Sequence, residues 1–492
     1  MKRLFKTSFI ALMSLAATAG MSACGDKFDG LTINFWHTFG KTPADAIEAK
    51  AQDFAKLVEQ NEGVKLRVKF TYKGGYSDMV GLVNKSFASG ETPTIAVAYP
   101  DHVADYFAAE KTPGQYVVDL SKFVNDPAIG FGKEAYLGDN HGADDFVQSF
   151  YEEGSCYSKE GLYSLPYMKS TEVMFYNKEL LQKAMVEIGS EYTSEAEIDE
   201  YLSDISWDDF MTLCEEINDA NDQGQIKSGA FVPAFYDSDG NFIISKMFQN
   251  GIGYASVNSD GKGIIDFNGV TTENFTPSAE QTQNYNKLIS MVTDLKAQYD
   301  KGLFYTKGTF GKYGSNEFTA QRTIFSIGSS GGAGYNFPST KEFHVGICKV
   351  PSSNNNPLYV SQGPSLCVFN TKESNNDDLV KYAWKFLKYI TNDQVNAELC
   401  VNGSEGYIPV RQSAYNTSLF VNFMKNGEEY AKTAETVIHG VDGNYFNAKV
   451  FQGSAALREY IGGALADALL AKGGMTVEQA INNAISETIK RM

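Results

Sequence analysis

LTINFWHTFGKTPADAIEAKAQDFAKLVEQNEGVKLRVKFTYKGGYSDMVGLVNKSFASGETPTIAVAY, residues 31–99, is the stretch whose alternation decides the fold. LTINFW alternates apolar and polar residues into a strand ending near Trp36. Thr42-Pro43-Ala44-Asp45 then supplies an N-cap, a proline at the first helical position and an early acid, so a helix is predicted to about Glu59. VKLRVKFTY (64–72) alternates strictly, as a half-buried strand does. A helix around Asp78–Ser89 precedes the apolar strand TIAVAY (94–99). Strand, helix, strand, helix, strand in this order implies an α/β fold with a parallel sheet and covering helices.

The pattern continues downstream. EVMFYN (172–177), RTIFSIG (322–328), HVGICKV (344–350) and SLCVFN (365–370) read as strands. Ser206-Trp207-Asp208-Asp209 opens a helix whose apolar set is Trp207, Phe210, Met211, Cys214 and Ile217. Residues 218–285 are rich in Gly, Asn and Asp and predict loops with short elements. Residues 383–399 predict two helices, the second opened by a capping box of Thr391 and Gln394, and Thr476 with Gln479 repeats that pattern. Trp207 and Trp384 fall within helices and are expected in packing. With no internal repeat and no composition break, two lobes sharing the chain discontinuously are expected.

The N-terminus has the three parts of a secretory signal: Lys2, Arg3 and Lys6, then an apolar run over 9–20, then Met21-Ser22-Ala23 before Cys24. This segment resembles the bacterial lipobox and predicts a signal peptide over 1–23, lipid on Cys24, a tether over 24–30 and attachment to the outside of the cell membrane. The alternative is an ordinary signal with an incidental cysteine. The net charge of −18, with 42 basic against 60 acidic residues, offers no footprint for nucleic acid or for anionic membranes. The cysteines beyond Cys24 (Cys156, Cys214, Cys348, Cys367 and Cys400) form no close pair and predict few or no disulfides. His37, His102, His141, His344 and His439 lie far apart, so neither a metal site nor a cofactor is predicted.

From INFWHTFG (33–40) to EQAINNAI (478–485) the chain resembles the extracellular solute-binding proteins of the carbohydrate-importer class. The resemblance is carried by the order of FASGETPTIAVAY, GLYSLPYMKSTEVMFYNKELL, SWDDF, IFSIGSSGGAGYN, VGICKVP, AWKFLKYITNDQ, GYIPVRQSAY and ALREYIGGALADALLAKGGMTVEQAI. FWHTF (35–39), YKGGY (72–76), KST (169–171), SSGG (329–332) and LREYI (457–461) are most similar to the glycerol-3-phosphate binders of that class.

The resemblance implies a two-lobed periplasmic-binding-protein type II fold with a hinge and an interlobe cleft. One lobe would take 31–168 with 357–402, the other 172–352 with 405–492. It further implies a monomer that captures a sugar or glycerol phosphate and delivers it to an ABC permease, without breaking any bond of the ligand. Tyr76, Ser170, Ser330, Gly363, Tyr407 and Arg458 are the ligand contacts it implies, with Arg458 as the anchor. Two departures bear on the ligand: Pro100-Asp101 stands where the family has an acid after the strand tyrosine, and AFYDSDGNF (234–242) replaces a tryptophan-rich loop, with Phe242 or Tyr236 as substitutes. Arg411 and Lys169 are alternative cations.

Residue by residue, other readings stand beside these. Trp36 either stacks on a ligand or covers a strand end. Gly331 and its neighbours either present backbone N–H groups to an anion or form a turn. Gly328-Ser329-Ser330-Gly331-Gly332 also fits the G-x-S-x-G elbow of a serine hydrolase, with Asp377 and His439 as nominal partners, although Ala-Gly-Tyr-Asn-Phe-Pro after it is poor helix. Asp237-Ser238-Asp239-Gly240-Asn241 hints at a calcium loop but lacks the closing glutamate, and a turn is expected. A sensor that presents sugar without a transporter is a further alternative.

Overall fold

The computed structural model describes residues 28–340, 342–404, 406–440 and 443–492. The expected signal peptide, Cys24 and most of the tether lie outside these residues. The strands are β1 (Leu31–His37), β2 (Leu66–Tyr72), β3 (Ile95–Ala98), β4 (Leu165–Pro166), β5 (Glu172–Asn177), β6 (Ala234–Tyr236), β7 (Ala255–Val257), β8 (Gly263–Ile265), β9 (Phe304–Thr306), β10 (Phe325–Ser329), β11 (Val345–Lys349), β12 (Tyr359–Val360), β13 (Ser365–Val368) and β14 (Tyr445–Phe446).

They form two five-stranded sheets, ordered β2-β1-β3-β13-β4 and β11-β5-β10-β6-β9, and two short ribbons. Each large sheet organises one lobe. In the first, β1 runs parallel to β2 from Leu31 opposite Leu66 to His37 opposite Tyr72, and parallel to β3. In the second, β6 runs parallel to β9 and β10. Neither sheet is wholly parallel: β13 is antiparallel to β3, and β5 is antiparallel to both β10 and β11. The reversal follows from connectivity, because β5 and β13 each enter their sheet after the chain has passed over from the other lobe.

The passages lie side by side. Lys169 pairs with Ile408 and Ser170 with Gln362 through reciprocal backbone hydrogen bonds of 2.8–3.0 Å. The chain therefore passes between the lobes as a narrow hydrogen-bonded ribbon.

Local chemistry explains the helices and corrects several expectations. The first spans Lys41–Glu62 and is capped by Gly40, two residues earlier than Thr42 predicts; Pro43 falls in the first turn, where a missing N–H costs no helical bond. Ser206 does accept from Asp209 N, and Trp207, Phe210, Met211, Cys214 and Ile217 are buried. Asp237–Asn241 forms no isolated turn: Ser238 accepts from Asn241 N and starts helix Asp239–Gln249. The predicted Thr391–Gln394 box gives way to Asn392, which accepts from Val395 N, while Thr391 turns its hydroxyl back onto Leu387 O at 2.8 Å. Thr476 and Gln479 form their box. Trp384 is fully buried and donates to Ile129 O at 2.8 Å. The five cysteines beyond Cys24 are free thiols.

Candidate functional site

The parallel strands β1, β3, β6 and β10 all aim their carboxyl ends at one cleft of about 1860 Å³. That is where loops of parallel α/β sheets converge. Thr38 follows β1, Tyr99 and Asp101 follow β3, Asp237 follows β6, and Ser329 and Gly331 end and follow β10. The volume exceeds the roughly 300–1,000 Å³ of an ordinary small-molecule pocket.

The first wall is aromatic. Tyr76, at the start of helix Tyr76–Ser89, stacks on Tyr99 with ring centroids 4.3 Å apart. His102 packs beside both rings at 6.2 and 5.4 Å. Burial, helped by Arg458, lowers the His102 pKa against the opposing pull of Asp101, which keeps the ring neutral. Asp101 sits in the first turn of helix Pro100–Ala108, where the helix dipole favours an anion.

The second wall is built around helix Ser454–Leu469. Arg458 projects from its first turns with about a third of its side chain exposed, and its Nε lies 3.8 Å from Asp101 Oδ2. Burial works against the guanidinium's charge, yet Asp101, with Tyr254, Tyr99 and Glu172, outweighs it and holds the pKa above the ordinary value. Gly453 N, just before this helix, donates to Asp105 Oδ1 at 2.9 Å, so the two walls touch at this edge. Burial pushes the Asp105 carboxyl up to about 6.

Of the residues singled out in the sequence, Tyr76, Asp101, Gly331, Tyr407 and Arg458 line this cleft together. Tyr407 and Gly331 belong to one contact: a Cβ on Gly331 would stand 2.5 Å from the Tyr407 ring, so glycine is what lets the ring lie there.

The others are placed elsewhere. Trp36 packs half-buried against the small core of Met79, Val83 and Tyr106, with the Lys73 ammonium 3.8 Å above its ring. Phe242 is fully buried and stacks on Tyr236 at 4.2 Å, because it lies on the core face of a helix the sequence did not disclose. Ser170 is buried in the crossover ribbon, its hydroxyl 3.3 Å from Ser329 Oγ. Gly363 lines an adjoining space of about 40 Å³ that shares Tyr99, Asp101 and Arg458 with the cleft, and its φ of +104° with Met168 O at 2.3 Å from a would-be Cβ makes it a crossover requirement.

Ser330 is 0% exposed, and its hydroxyl accepts from Thr171 N at 3.4 Å. The central serine of the elbow pattern is thus closed off from the cleft, while Ser329 beside it lines the cleft. Arg411 and Lys169 are also buried: Arg411 donates to Thr391 O at 2.9 Å and Gly142 O at 2.6 Å, and Lys169 pairs with Glu153.

Residues the sequence reading passed over also line the cleft. Ser329 neighbours the serine that reading chose. Tyr335 and Tyr313 are 69% and 52% exposed, and Glu172 is 3% exposed with its Oε2 accepting from Tyr236 OH. Tyr335 follows the glycine run, and that spacing was its available signal. Among the described residues no group of three His, Cys, Asp or Glu could hold a metal.

Comparison with known proteins points one way. Residues 50–433 match the profile of the bacterial extracellular solute-binding proteins. The sn-glycerol-3-phosphate-binding periplasmic protein UgpB of Escherichia coli strain K12 is 22% identical over 416 residues, covering 82% of this chain and 79% of that protein. Among solved structures, the GacH receptor of Streptomyces glaucescens, solved unliganded and with acarbose, superposes with a TM-score of 0.64 at 18% identity, covering 94% of this chain and 98% of that one. UgpB of Mycobacterium tuberculosis in complex with glycerophosphocholine gives 0.64 at 16% identity, covering 93% and 97%. At such identities these structures speak for the two-lobed fold.

Proposed function

This chain belongs to the bacterial extracellular solute-binding protein family, and from that premise we propose that it is a lipid-anchored receptor of an ABC importer. It captures a small hydroxylated solute, a sugar or a glycerol-phosphate-type polyol, and hands it to the membrane permease. The observation that carries this reading is the cleft itself. It is walled by both lobes and lined by tyrosines, serine and glycine backbone, with Arg458 as its central cation. Tyrosine faces pack on the apolar face of a sugar ring, and hydroxyls, amides and one guanidinium supply the directed hydrogen bonds of a polyol.

The ribbon at 169–170, 362 and 408 serves as the hinge between the lobe built on the sheet of β1 and the lobe built on the sheet of β10. Closure expels water and strengthens each polar contact. Acylation of Cys24 holds the receptor at the outer face of the membrane; exchange of Cys24 for serine is expected to move the protein from the detergent phase to the aqueous phase in a phase partition. GacH with acarbose and mycobacterial UgpB with glycerophosphocholine supply the two ligand chemistries to test.

The test is a thermal-denaturation shift with maltotriose, mannotriose, sn-glycerol 3-phosphate, glycerophosphocholine and plain glycerol. A ligand at a hundred times its dissociation constant stabilises the folded state by about 2.7 kcal/mol. A shift with an oligosaccharide or a glycerol phosphate that is reduced in Arg458→Ala is the expected result. No shift with any of them contradicts the reading.

A further inference from the structure

Glu172 opens β5, opposite Ser329 of β10, and lines the cleft although it is almost wholly buried. Its Oε2 is held by the Tyr236 hydroxyl. Its Oε1 is buried and makes no hydrogen bond of ordinary length among the described residues, although the Asn241 amide also approaches the carboxyl. The other carboxyls of the cleft, apart from the exposed Glu459, are engaged by the protein. Asp105 accepts from Gly453 N, Asp237 from Gly314 N, and Asp239 from the Thr306 hydroxyl and Gly308 N. Asp101 accepts from His102 N and faces Arg458. A buried acceptor left unmade at a ligand cleft is costly unless the ligand completes it.

Charge narrows what completes it. Asp101, Asp105, Glu172, Asp237, Asp239 and Glu459 line the cleft against Arg458, Lys307 and Arg491. A phosphate dianion donates no hydrogen and meets this excess of acid. A sugar hydroxyl donates to a carboxylate and accepts from a guanidinium at once.

We propose that Glu172 is the specificity-determining acceptor of this cleft: its unpartnered Oε1 takes the hydrogen of a ligand hydroxyl, and the cleft thereby selects uncharged polyhydroxylated ligands over phosphorylated ones. The proposal rests on the solute-capture reading above.

It predicts how affinity varies with pH. Burial pushes the Glu172 carboxyl up to about 7, opposed by Tyr236, Asn241 and Arg458 and reinforced by Asp237. The other ionisable neighbours on the elements packed around it are Lys246 and Asp239, from helix Asp239–Gln249, and Tyr359 of β12. A hydroxyl donor stabilises the ionised form, so the ligand lowers this pKa. Binding therefore tightens as pH rises from 5.5 to 8, by about tenfold for each pH unit by which the ligand lowers it.

The experiment is calorimetric titration of wild-type, Glu172→Gln and Tyr236→Phe proteins with maltotriose, mannotriose and sn-glycerol 3-phosphate at pH 5.5, 7 and 8. The expected result is that a neutral oligosaccharide binds tightest. Glu172→Gln then weakens it tenfold or more and flattens the pH profile, while Tyr236→Phe, which leaves Oε1 in place but removes a bond that holds the carboxyl's pKa down, keeps a pH-dependent profile moved toward higher pH. Two results overturn the proposal and leave solute capture standing: Glu172→Gln binding the sugar as wild type does at every pH, or glycerol 3-phosphate binding tightest and gaining affinity in Glu172→Gln. Equal losses and equally flattened profiles in both variants also overturn it, by making the role structural. Binding of none of the probes to any protein overturns the solute-capture reading itself.

Discussion

In the first lobe, Lys385 and Lys388 of helix Asn376–Ile390 enter the core and are met there by acids. Lys385 reaches Glu62 at 2.8 Å and Glu134 at 2.7 Å, and Lys388 reaches Glu134 at 2.7 Å, Asp139 at 3.1 Å and Gly130 O at 3.0 Å. Arg411 adjoins them, 4.0 Å from Asp139 and 3.9 Å above the Phe146 ring, with burial lowering its pKa to about 10. In the cleft, Arg458 stands 3.8 Å from Asp101 and Glu172 keeps one oxygen without a partner. Both places take charge out of water. The knot pairs its lysines with acids of the chain, and its own unbonded atoms, Asp139 Oδ1 and Arg411 Nη2, face each other at 4.0 Å, whereas the unmet oxygen of Glu172 belongs to a residue lining the cleft. Buried charge met by opposite charge holds the lobe together, and an unmet oxygen points to a ligand only where its residue lines a cleft.

The largest expected effect breaks the knot. Lys388→Met leaves Glu134 and Asp139 buried and short of a cation, and is expected to cost about 3–5 kcal/mol in urea unfolding. Ligand affinity of the folded protein should not change. Next comes the cleft carboxyl. Glu172 has a folded-state pKa of about 7 against an ordinary 4.5. A raised folded pKa means the native state holds the proton more tightly, so this stability is fully present below about 4.5 and is lost as pH rises through about 7. Wild type is therefore expected to lose on the order of 3 kcal/mol relative to Glu172→Gln between those limits, read from paired urea curves across pH.

Arg458→Ala sharpens the contrast from the other side. Binding is expected to weaken by about 1.5–3 kcal/mol, the range for hydrogen bonds to charged groups, while folding changes by less than about 1 kcal/mol. The smallest effect is at the rim. Tyr335→Ala is expected to cost about 0.5–1.5 kcal/mol in sugar binding and to leave the unfolding midpoint within about 0.5 kcal/mol of wild type.

The two regions also differ in how readable they are. The strands were legible because alternation and β-branched runs report burial directly: 172–177 was predicted and found as β5. The caps at Ser206 and Thr476 were legible because a side-chain oxygen three residues before its N–H partner is a local fact. Asp239–Gln249 was hidden because Asp, Ser, Gly and Asn favour turns and helix starts alike.

At the cleft, order along the chain pointed to Tyr76, Tyr407 and Arg458, but which face of an element a side chain takes depends on packing. Phe242 and Ser330 turned inward for that reason, and Ser329, one residue from Ser330, turned toward the cleft. Glu172 was invisible because a glutamate opening a strand reads as an exposed edge. Its burial, and the unmet oxygen that follows, come from β6 and helix Asp239–Gln249 folding over it.

The central claim is that the cleft is open to be completed by a solute and that its two walls close when it is. Small-angle X-ray scattering on the protein alone and with a saturating ligand from the thermal screen measures that directly. The radius of gyration is expected to fall with ligand, and to fall less when the same ligand concentration is added to Arg458→Ala. An unchanged radius in the wild-type protein at saturation would contradict it.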